Sequence, residues 1–347
     1  MKNLWNKLTS RYGYPKLFIS IFLLLLLVMA VIQKQDIPGL LRDSTVRIGM
    51  NSILVLAMVP SIIAGTGLNF SLSLGILCGL IAGCLAIELN LTGMTAFLSA
   101  IFITIPLAAI AGYFYSHLLN KVKGEEMTIG TYMGFSMVQL MSIGWLIMPF
   151  KSPEMIWAIG GKGLRVTISL AGRFDKILDN FMDIKFMDMN IPIGTFLFFG
   201  LLCLLMSLFL KSKTGAAMVA AGDNPKFAVA SGINVDAQRT IGIMLSMILG
   251  GVGILVYAQS YGFFQLYQGP LMMPFVAISA ILIGGATAKK ATLSNVISGV
   301  ILFQALLTIA LPVINKVMPE GNLSEVIRII VQNGVILYAL TKVGGNE

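Results

Sequence analysis

Two short stretches carry the residues whose types and spacing suggest a specific task. In the first, Asn224-Pro225 opens and Gly232 closes the run Lys-Phe-Ala-Val-Ala-Ser. An Asn side chain can accept from the first free N–H groups of a helix, and Pro suits the first helical position because it has no N–H to leave unpaired. Gly232 supplies the left-handed residue that stops the helix. The spacing predicts a helix over about 225–231, roughly 10 Å long. It is too short to be stable alone, and it shows Phe227 and Val229 to water, so it reads as a docking element. The second stretch is Ala64-Gly-Thr-Gly-Leu-Asn-Phe-Ser-Leu-Ser-Leu-Gly75, with glycines, a threonine, an asparagine and serines between apolar halves. It predicts a broken or re-entrant helix, because irregular backbone at membrane depth survives only where protein buries it or water lines it. A plain cytoplasmic turn is the alternative.

The remaining polar chemistry is neutral. Asn51, Asn69, Ser71, Ser73, Gln139, Gln304 and Asn333 lie in or beside apolar runs. Amides and hydroxyls suit an uncharged, hydroxyl-rich solute, and each can equally serve as glue between helices. Charge inside the runs is nearly absent, which argues against ion-coupled transport, since that chemistry needs ionisable groups at mid-membrane. His117 stands alone, and Cys78, Cys84 and Cys203 sit in apolar runs without metal spacing. No paired carboxylates, nucleophile constellation or metal cluster is apparent. We therefore expect no catalytic residue, no metal and no cofactor bound by this chain.

The elements that must position these residues follow from composition. Of 347 residues, 57% are hydrophobic and only 11% charged, with a mean hydropathy of +0.88. A soluble domain carries about 25% charged residues. Too little polar surface remains to cover a water-soluble globule of this size, so lipid must solvate most of it. Helices of roughly 20 apolar residues cross the hydrocarbon, and apolar runs of that kind fall at 17–32, 47–65, 70–88, 94–117, 128–148, 192–210, 239–258, 271–287, 292–311 and 324–341. The fold class is thus all-α, a polytopic membrane protein of about ten transmembrane helices, with residues 1–347 forming a single transmembrane domain. Parity alone allows an inverted repeat relating spans 2–5 to spans 7–10. Leu17–Ile32 follows Lys2, Lys7, Arg11 and Lys16 without a persuasive cleavage site, and reads as an uncleaved first helix.

The net charge of +9 reflects basic residues between spans, a topological signal rather than a nucleic-acid footprint. Lys2, Lys7, Arg11, Lys16, Lys121, Lys123, Lys211, Lys213, Lys226, Lys289, Lys290 and Lys342 fall on one side of the alternating spans. The bias places both termini in the cytoplasm, with 211–238 as a cytoplasmic loop, 33–47 as a short outside loop and 149–191 as a long extracytoplasmic one. In that long loop Ile177, Leu178 and Phe181 share a helical face opposite Asp175, Asp179 and Asp183, which predicts an amphipathic helix at the membrane interface, with a docking surface for an external partner as the alternative. Gly75, Gly79 and Gly83, and then Gly130 and Gly134, recur at i, i+4 and predict close helix packing. The aromatic and amide residues from Tyr257 to Tyr267 suggest an interfacial belt, with a ring lining an outer vestibule as the alternative.

Three segments also carry a family resemblance. Gly222-Asp-Asn-Pro-Lys-Phe-Ala-Val-Ala-Ser-Gly-Ile-Asn-Val235 resembles the cytoplasmic loop of ABC-importer permeases of the ribose, simple-sugar and branched-chain amino-acid class. Gly65-Thr-Gly-Leu-Asn-Phe-Ser-Leu-Ser-Leu-Gly75 is similar to that class's Gly-Ile-Asp-Leu-Ser-Val-Gly segment, with Asn69 where Asp is usual. Ile283-Gly-Gly-Ala286 is similar to its Leu-Gly-Gly-Thr turn, although Thr287-Ala-Lys-Lys-Ala-Thr292 replaces the Gly-rich stretch expected next.

The resemblance implies a coupling helix over 224–233, with Gly222, Asp223, Asn224, Pro225, Phe227, Ala228, Gly232 and Ile233 meeting a separate ATPase subunit. The sequence itself has no GxxxxGK[ST], so ATP and Mg would be held by that partner. A second permease chain, identical or related, and an extracytoplasmic solute-binding protein are the other implied partners, besides membrane lipids. The implied location is the bacterial inner (plasma) membrane. The expected task is to form the translocation path of an ATP-driven importer for a small polar solute, foremost a simple sugar. A nucleoside or a branched-chain amino acid is the alternative solute. A ten-span secondary carrier and a membrane enzyme are the competing classes.

Overall fold

The computed structural model describes residues 14–157, 163–181, 185–186, 189–317 and 334. Its helices are α1 (Tyr14–Ile32), α2 (Ile37–Leu56), α3 (Met58–Ile63), α4 (Leu72–Glu88), α5 (Gly93–Lys121) and α6 (Glu126–Ile147). After the long loop come α7 (Ile193–Lys211), α8 (Lys213–Asp223), α9 (Pro225–Ala230), α10 (Val235–Tyr261), α11 (Gly269–Ile283) and α12 (Leu293–Val317). The strands are short: β1 (Thr167–Ser169), β2 (Lys185–Phe186), β3 (Met189–Asn190) and β4 (Phe263–Gln265). Among the described residues, Ile37–Ile63, Gly93–Lys121, Ile193–Lys211, Val235–Tyr261 and Leu293–Lys316 are long and apolar enough to cross a bilayer. Lys16–Ile32, Leu72–Glu88 and Gly269–Ile283 are apolar but shorter. The chain is an all-α polytopic membrane protein.

Nine of the expected spans, 17–32 to 292–311, fall on helices. The tenth, 324–341, lies outside the described residues apart from helical Gly334. The expected 33–47 loop is mostly helix, because α2 already starts at Ile37. Arg42, Asp43, Ser44, Thr45 and Arg47 extend it beyond its apolar part, which a hydropathy reading cannot see. Ser44 and Thr45 hold its backbone by donating to the carbonyls of Leu40 and Leu41.

The chain divides into two compact units. The larger, Met50–Asp183 with Pro192–Ile278, is organised by glycines. A Cβ on Gly75 would overlap the carbonyl oxygen of Met247, one on Gly79 that of Gly251, and one on Gly83 the ring of Phe264. Helices α4 and α10 therefore lie backbone against backbone along the GxxxG face, and α5 closes over them with Leu74, Ala108, Tyr115, Ile243 and Met247 in a shared buried cluster. Just ahead of α4, a Cβ on Gly134 of α6 would come 3.0 Å from the carbonyl oxygen of Phe70. Such contact requires the missing side chain. We expect Gly79→Val to destabilise the fold by about 1–3 kcal/mol, the range for overpacking a tight contact. A lowered unfolding midpoint in detergent would show it.

The far end of α10 is closed by the long loop. Strand β1 pairs antiparallel with β4, in the register Thr167↔Gln265, Ile168↔Phe264 and Ser169↔Phe263. The Tyr261 ring lies between those of Tyr257 at 5.3 Å and Phe263 at 4.4 Å, tilted by 42° and 45°. The amphipathic helix expected here is replaced by successive turns over 171–180. Leu178 and Phe174 are buried while Phe181 is 62% exposed, so the anticipated apolar face is split. Tertiary hydrogen bonds take the place of helical ones. Lys176 and Leu178 donate their N–H groups to the carbonyl and side-chain oxygens of Gln259. Asp179 accepts from Thr195, Gln259 and Ser260 at 2.5, 3.2 and 3.0 Å. Nearby, the Arg173 guanidinium donates to Glu154 and holds that carboxyl below its usual range, so the pair breaks only as pH falls through the lowered value.

In the smaller unit, Met1–Gly49, Ile184–Ile191 and Ser279–Glu347, α1 packs on α12 through Leu26, Ala30, Ile309, Ala310 and Val313. Gln33 and Gln35 donate to the carbonyls of Val313 and Pro312. The Gly284-Gly285 turn after α11 is held by Asn295, which donates to the carbonyl of Gly284 at 2.7 Å. Asn295 also exchanges reciprocal hydrogen bonds with Thr292, and so starts α12.

Candidate functional site

The Asn224–Gly232 stretch forms a six-residue helix, α9, with both ends specified by sequence. Asn224 Oδ1 accepts from the N–H of Phe227 at 3.1 Å, and Pro225 takes the first position. At the other end Gly232 has φ +79°. The Ile233 N–H donates to the Ala228 carbonyl at 2.9 Å, and the Gly232 N–H to that of Val229 at 3.0 Å. These two bonds are the paired closure that a left-handed residue allows. Asn234 then caps α10 in turn, accepting from the N–H of Ala237 at 3.0 Å.

Ala228 is buried against the chain, whereas Phe227 and Val229 are each 64% exposed. Two large apolar side chains thus face outward on a short, doubly capped helix. Replacing Asn224 with alanine is expected to cost about 1 kcal/mol of local stability. Faster amide hydrogen exchange across 225–231, with little change in α10, would report it.

Gly222, just before this helix, makes the closest contact of the site. A Cβ there would overlap the carbonyl oxygen of Ile63 and lie 2.9 Å from the Gly65 nitrogen. Gly65 has φ +78°, and its own added Cβ would lie 2.9 Å from the Gly222 Cα. The irregular stretch between α3 and α4 therefore starts in backbone contact with the end of α8. From there it turns inward: Thr66, Leu68, Asn69 and Ser71 are all buried. Thr66 donates to the carbonyl of Ser61 at 2.8 Å.

The structure brings several of the expected path residues together on this stretch. Asn69 Nδ2 donates to Ser246 Oγ of α10 at 2.9 Å, while Asn69 Oδ1 is buried without a hydrogen-bond partner among the described residues. Ser71 donates to the carbonyl of Gly130 at 2.5 Å, and Ser73 to that of Pro270 at 2.7 Å. Both serines join helices, as polar glue does. Asn51 is buried at the start of the larger unit's sequence. Gln139 is exposed on α6, facing away from such a cluster. Gln304 is buried in the smaller unit, and Asn333 lies outside the described residues.

Sequence reading missed an ion pair beside α9. Arg239, in the second turn of α10, is 7% exposed and donates to Glu126 Oε1 at 2.6 Å and to the Leu119 carbonyl at 3.4 Å. Nearby, Lys123 pairs with Asp236 at 2.6 Å, half exposed, and Asn120 donates to the Asp236 carbonyl. These contacts tie the start of α10 to the α5–α6 turn. Arg239 is the only buried member of the Asp, Glu, Lys and Arg set among the described residues. Asn234 as a cap gives the one usable signal: it puts Arg239 inside the helix rather than at its mouth.

The comparisons with known proteins fit this geometry. The profile of the family described as "Branched-chain amino acid transport system / permease component" matches residues 40–340. The chain belongs to that family. Both the α3–α4 break and α9 fall within the matched part of the permease. A curated relative, the nucleoside ABC transporter permease protein NupC of Lactococcus lactis subsp. cremoris (strain MG1363), is 31% identical over 121 residues. That match covers 32% of this chain and 38% of the relative, so it spans well under half of either. No solved structure matches the permease significantly.

Proposed function

We propose that this chain is the membrane-spanning subunit of an ATP-driven importer, and that it passes an uncharged, hydroxyl-rich solute, foremost a nucleoside. The observation that carries the reading is α9: a helix too short to stand alone, capped at both ends and presenting Phe227 and Val229. Such an element gains its stability by seating in a partner. Gly222, Asp223, Asn224, Pro225, Phe227, Ala228, Gly232 and Ile233 make up this coupling element, and the partner is a separate ATPase subunit that holds ATP and Mg. A second permease chain and a solute-binding protein complete the assembly in the bacterial plasma membrane, with both termini of this chain cytoplasmic.

The solute class rests on the polar groups buried beside the α3–α4 break. Asn69, Ser71, Ser73 and Ser246 are neutral, and a zwitterionic amino acid would need charged partners to offset its desolvation. A nucleoside comes before a simple sugar because the NupC relative is named for nucleosides. The sugar remains the second reading, since its hydroxyls use the same donors and acceptors. Nucleotide and solute equilibria are then linked: ATP closure moves α9, and the bundle switches the side to which the path opens.

The assembled complex in proteoliposomes tests both parts. ATP-dependent uptake of labelled uridine, competed by adenosine but not by ribose or leucine, is the expected result. Uptake by the permease without the ATPase subunit would refute the importer reading. Competition by ribose alone would move the solute to the sugar class.

A further inference from the structure

We infer that the irregular 64–71 segment is the transmission element between the coupling loop and the solute path, driven through the Gly65–Gly222 contact and latched by the Asn69–Ser246 hydrogen bond. The inference rests on the permease reading above and specifies how movement at α9 reaches the interior of the bundle.

Three observations carry it. First, the contact between loop and segment is backbone on backbone. A Cβ at Gly222 would overlap the Ile63 carbonyl, and one at Gly65 would reach 2.9 Å from the Gly222 Cα. No flexible side chain stands between them to absorb a displacement. Gly65 is exposed and Ile63 and Gly222 are half-buried, but their backbones touch directly, so a shift of the α8 end presses on residues 63–65. Gly242 of α10 closes the same corner, since its added Cβ would overlap Ala64 and lie 2.8 Å from the Pro60 carbonyl.

Second, the segment is not itself a rigid helix. It runs from the end of α3 at Ile63 to the start of α4 at Leu72, with Gly65 and Gly67 both at positive φ. Hinge residues are such element-terminal positions, which absorb backbone rotation between packed helices. Rotation at Gly65 and Gly67 can therefore pass a shift of the α8 end on to residues 66–71, while the α3 end and α4 both stay packed on α10 at Gly242, Gly75 and Gly79.

Third, a polar contact pins the segment to α10, beside the bond from Ser71 to the Gly130 carbonyl of α6. Asn69 Nδ2 donates to Ser246 Oγ, 2.9 Å away on α10. The amide oxygen of the same side chain is buried and without a partner among the described residues. A buried acceptor left unpaired costs free energy, so this conformation leaves Asn69 with an unmet requirement. A donor on the solute, or a rearranged segment, would meet it. Asn69 is thus a positioning residue whose two ends answer to different events.

The test uses the complete complex, reconstituted with its ATPase and binding protein, and reads ATP hydrolysed per solute imported. Gly222→Ala is expected to raise the ATP hydrolysed per solute imported about thirtyfold, the middle of the usual coupling range. Ser246→Ala removes the latch. It is expected to raise ATP turnover in the absence of solute several-fold, and Asn69→Ala combined with it should add nothing further. A merely structural role would lower the amount of assembled complex and its unfolding midpoint but leave the ratio of ATP to solute unchanged. That unchanged ratio in both Gly222→Ala and Ser246→Ala would overturn the inference. Should Gly222→Ala fail to assemble, Ser246→Ala with its double variant decides alone. If the unmodified complex shows no ATP-dependent uptake, it is the permease reading that has failed, not the route of transmission.

Discussion

Arg239→Ala is expected to be the most damaging single substitution on the α9 end of the permease. The guanidinium is 2.6 Å from Glu126, with 8% and 15% of the two side chains exposed. Removing one partner of a buried pair leaves an uncompensated charge, at a cost of about 3–5 kcal/mol. The lost ties also include the Leu119 carbonyl, so the α5–α6 turn should loosen from α10. Loss of folded protein in detergent, or a strongly lowered unfolding midpoint, checks this. The pair itself need not be a net gain, because replacing both members with neutral groups of similar volume is often close to neutral. Arg239→Met combined with Glu126→Gln should therefore recover most of the loss. The neighbouring Lys123–Asp236 pair is half exposed on both sides, and Asp236→Asn should change stability by less than about 1 kcal/mol.

The second large effect falls on association instead of folding. Phe227 is 64% exposed, so Phe227→Ala should leave the unfolding midpoint of the isolated permease unchanged. If α9 seats in the ATPase subunit, the same substitution removes an aromatic anchor worth at least about 2 kcal/mol, or roughly thirtyfold in affinity. Titrating the ATPase subunit against the solubilised permease measures this directly. Equal affinity of the variant and the unmodified chain would mean that α9 docks nowhere on that partner.

The parts of this molecule that were legible in its sequence share a physical trait: the information is local. Nine of the expected spans could be read because an apolar run of sufficient length is its own evidence. Helix α9 could be read because Asn224, Pro225 and Gly232 specify both ends within a few residues. The GxxxG steps on α4 gave the close packing, though not the partner, which proved to be α10 at Met247 and Gly251.

The misses depend on residues distant in the chain. Arg239 finds Glu126 113 positions away, and no pattern in either neighbourhood announces the other. The 175–183 stretch has helical periodicity, yet Gln259 captures the N–H groups of Lys176 and Leu178, and turns prevail over 171–180. The early start of α2 was hidden because hydropathy marks where a helix is apolar, not where it begins. For the candidate site, the segment at 64–71 was recognisable from composition. Its contact with Gly222 was not, since a glycine's role there is set entirely by what lies across from it.

The outward-facing pair on α9 has a consequence for the life of the protein in the cell. Phe227 and Val229 stand exposed on a helix capped at both ends. A chain synthesised in excess of its companion would display this apolar knob continuously. Surfaces of that kind invite association and recognition by the proteolytic machinery that removes unpaired subunits. If α9 seats in an ATPase subunit, as proposed, abundance of this chain should track that of the subunit, and the small helix would act as a tally of complete complexes.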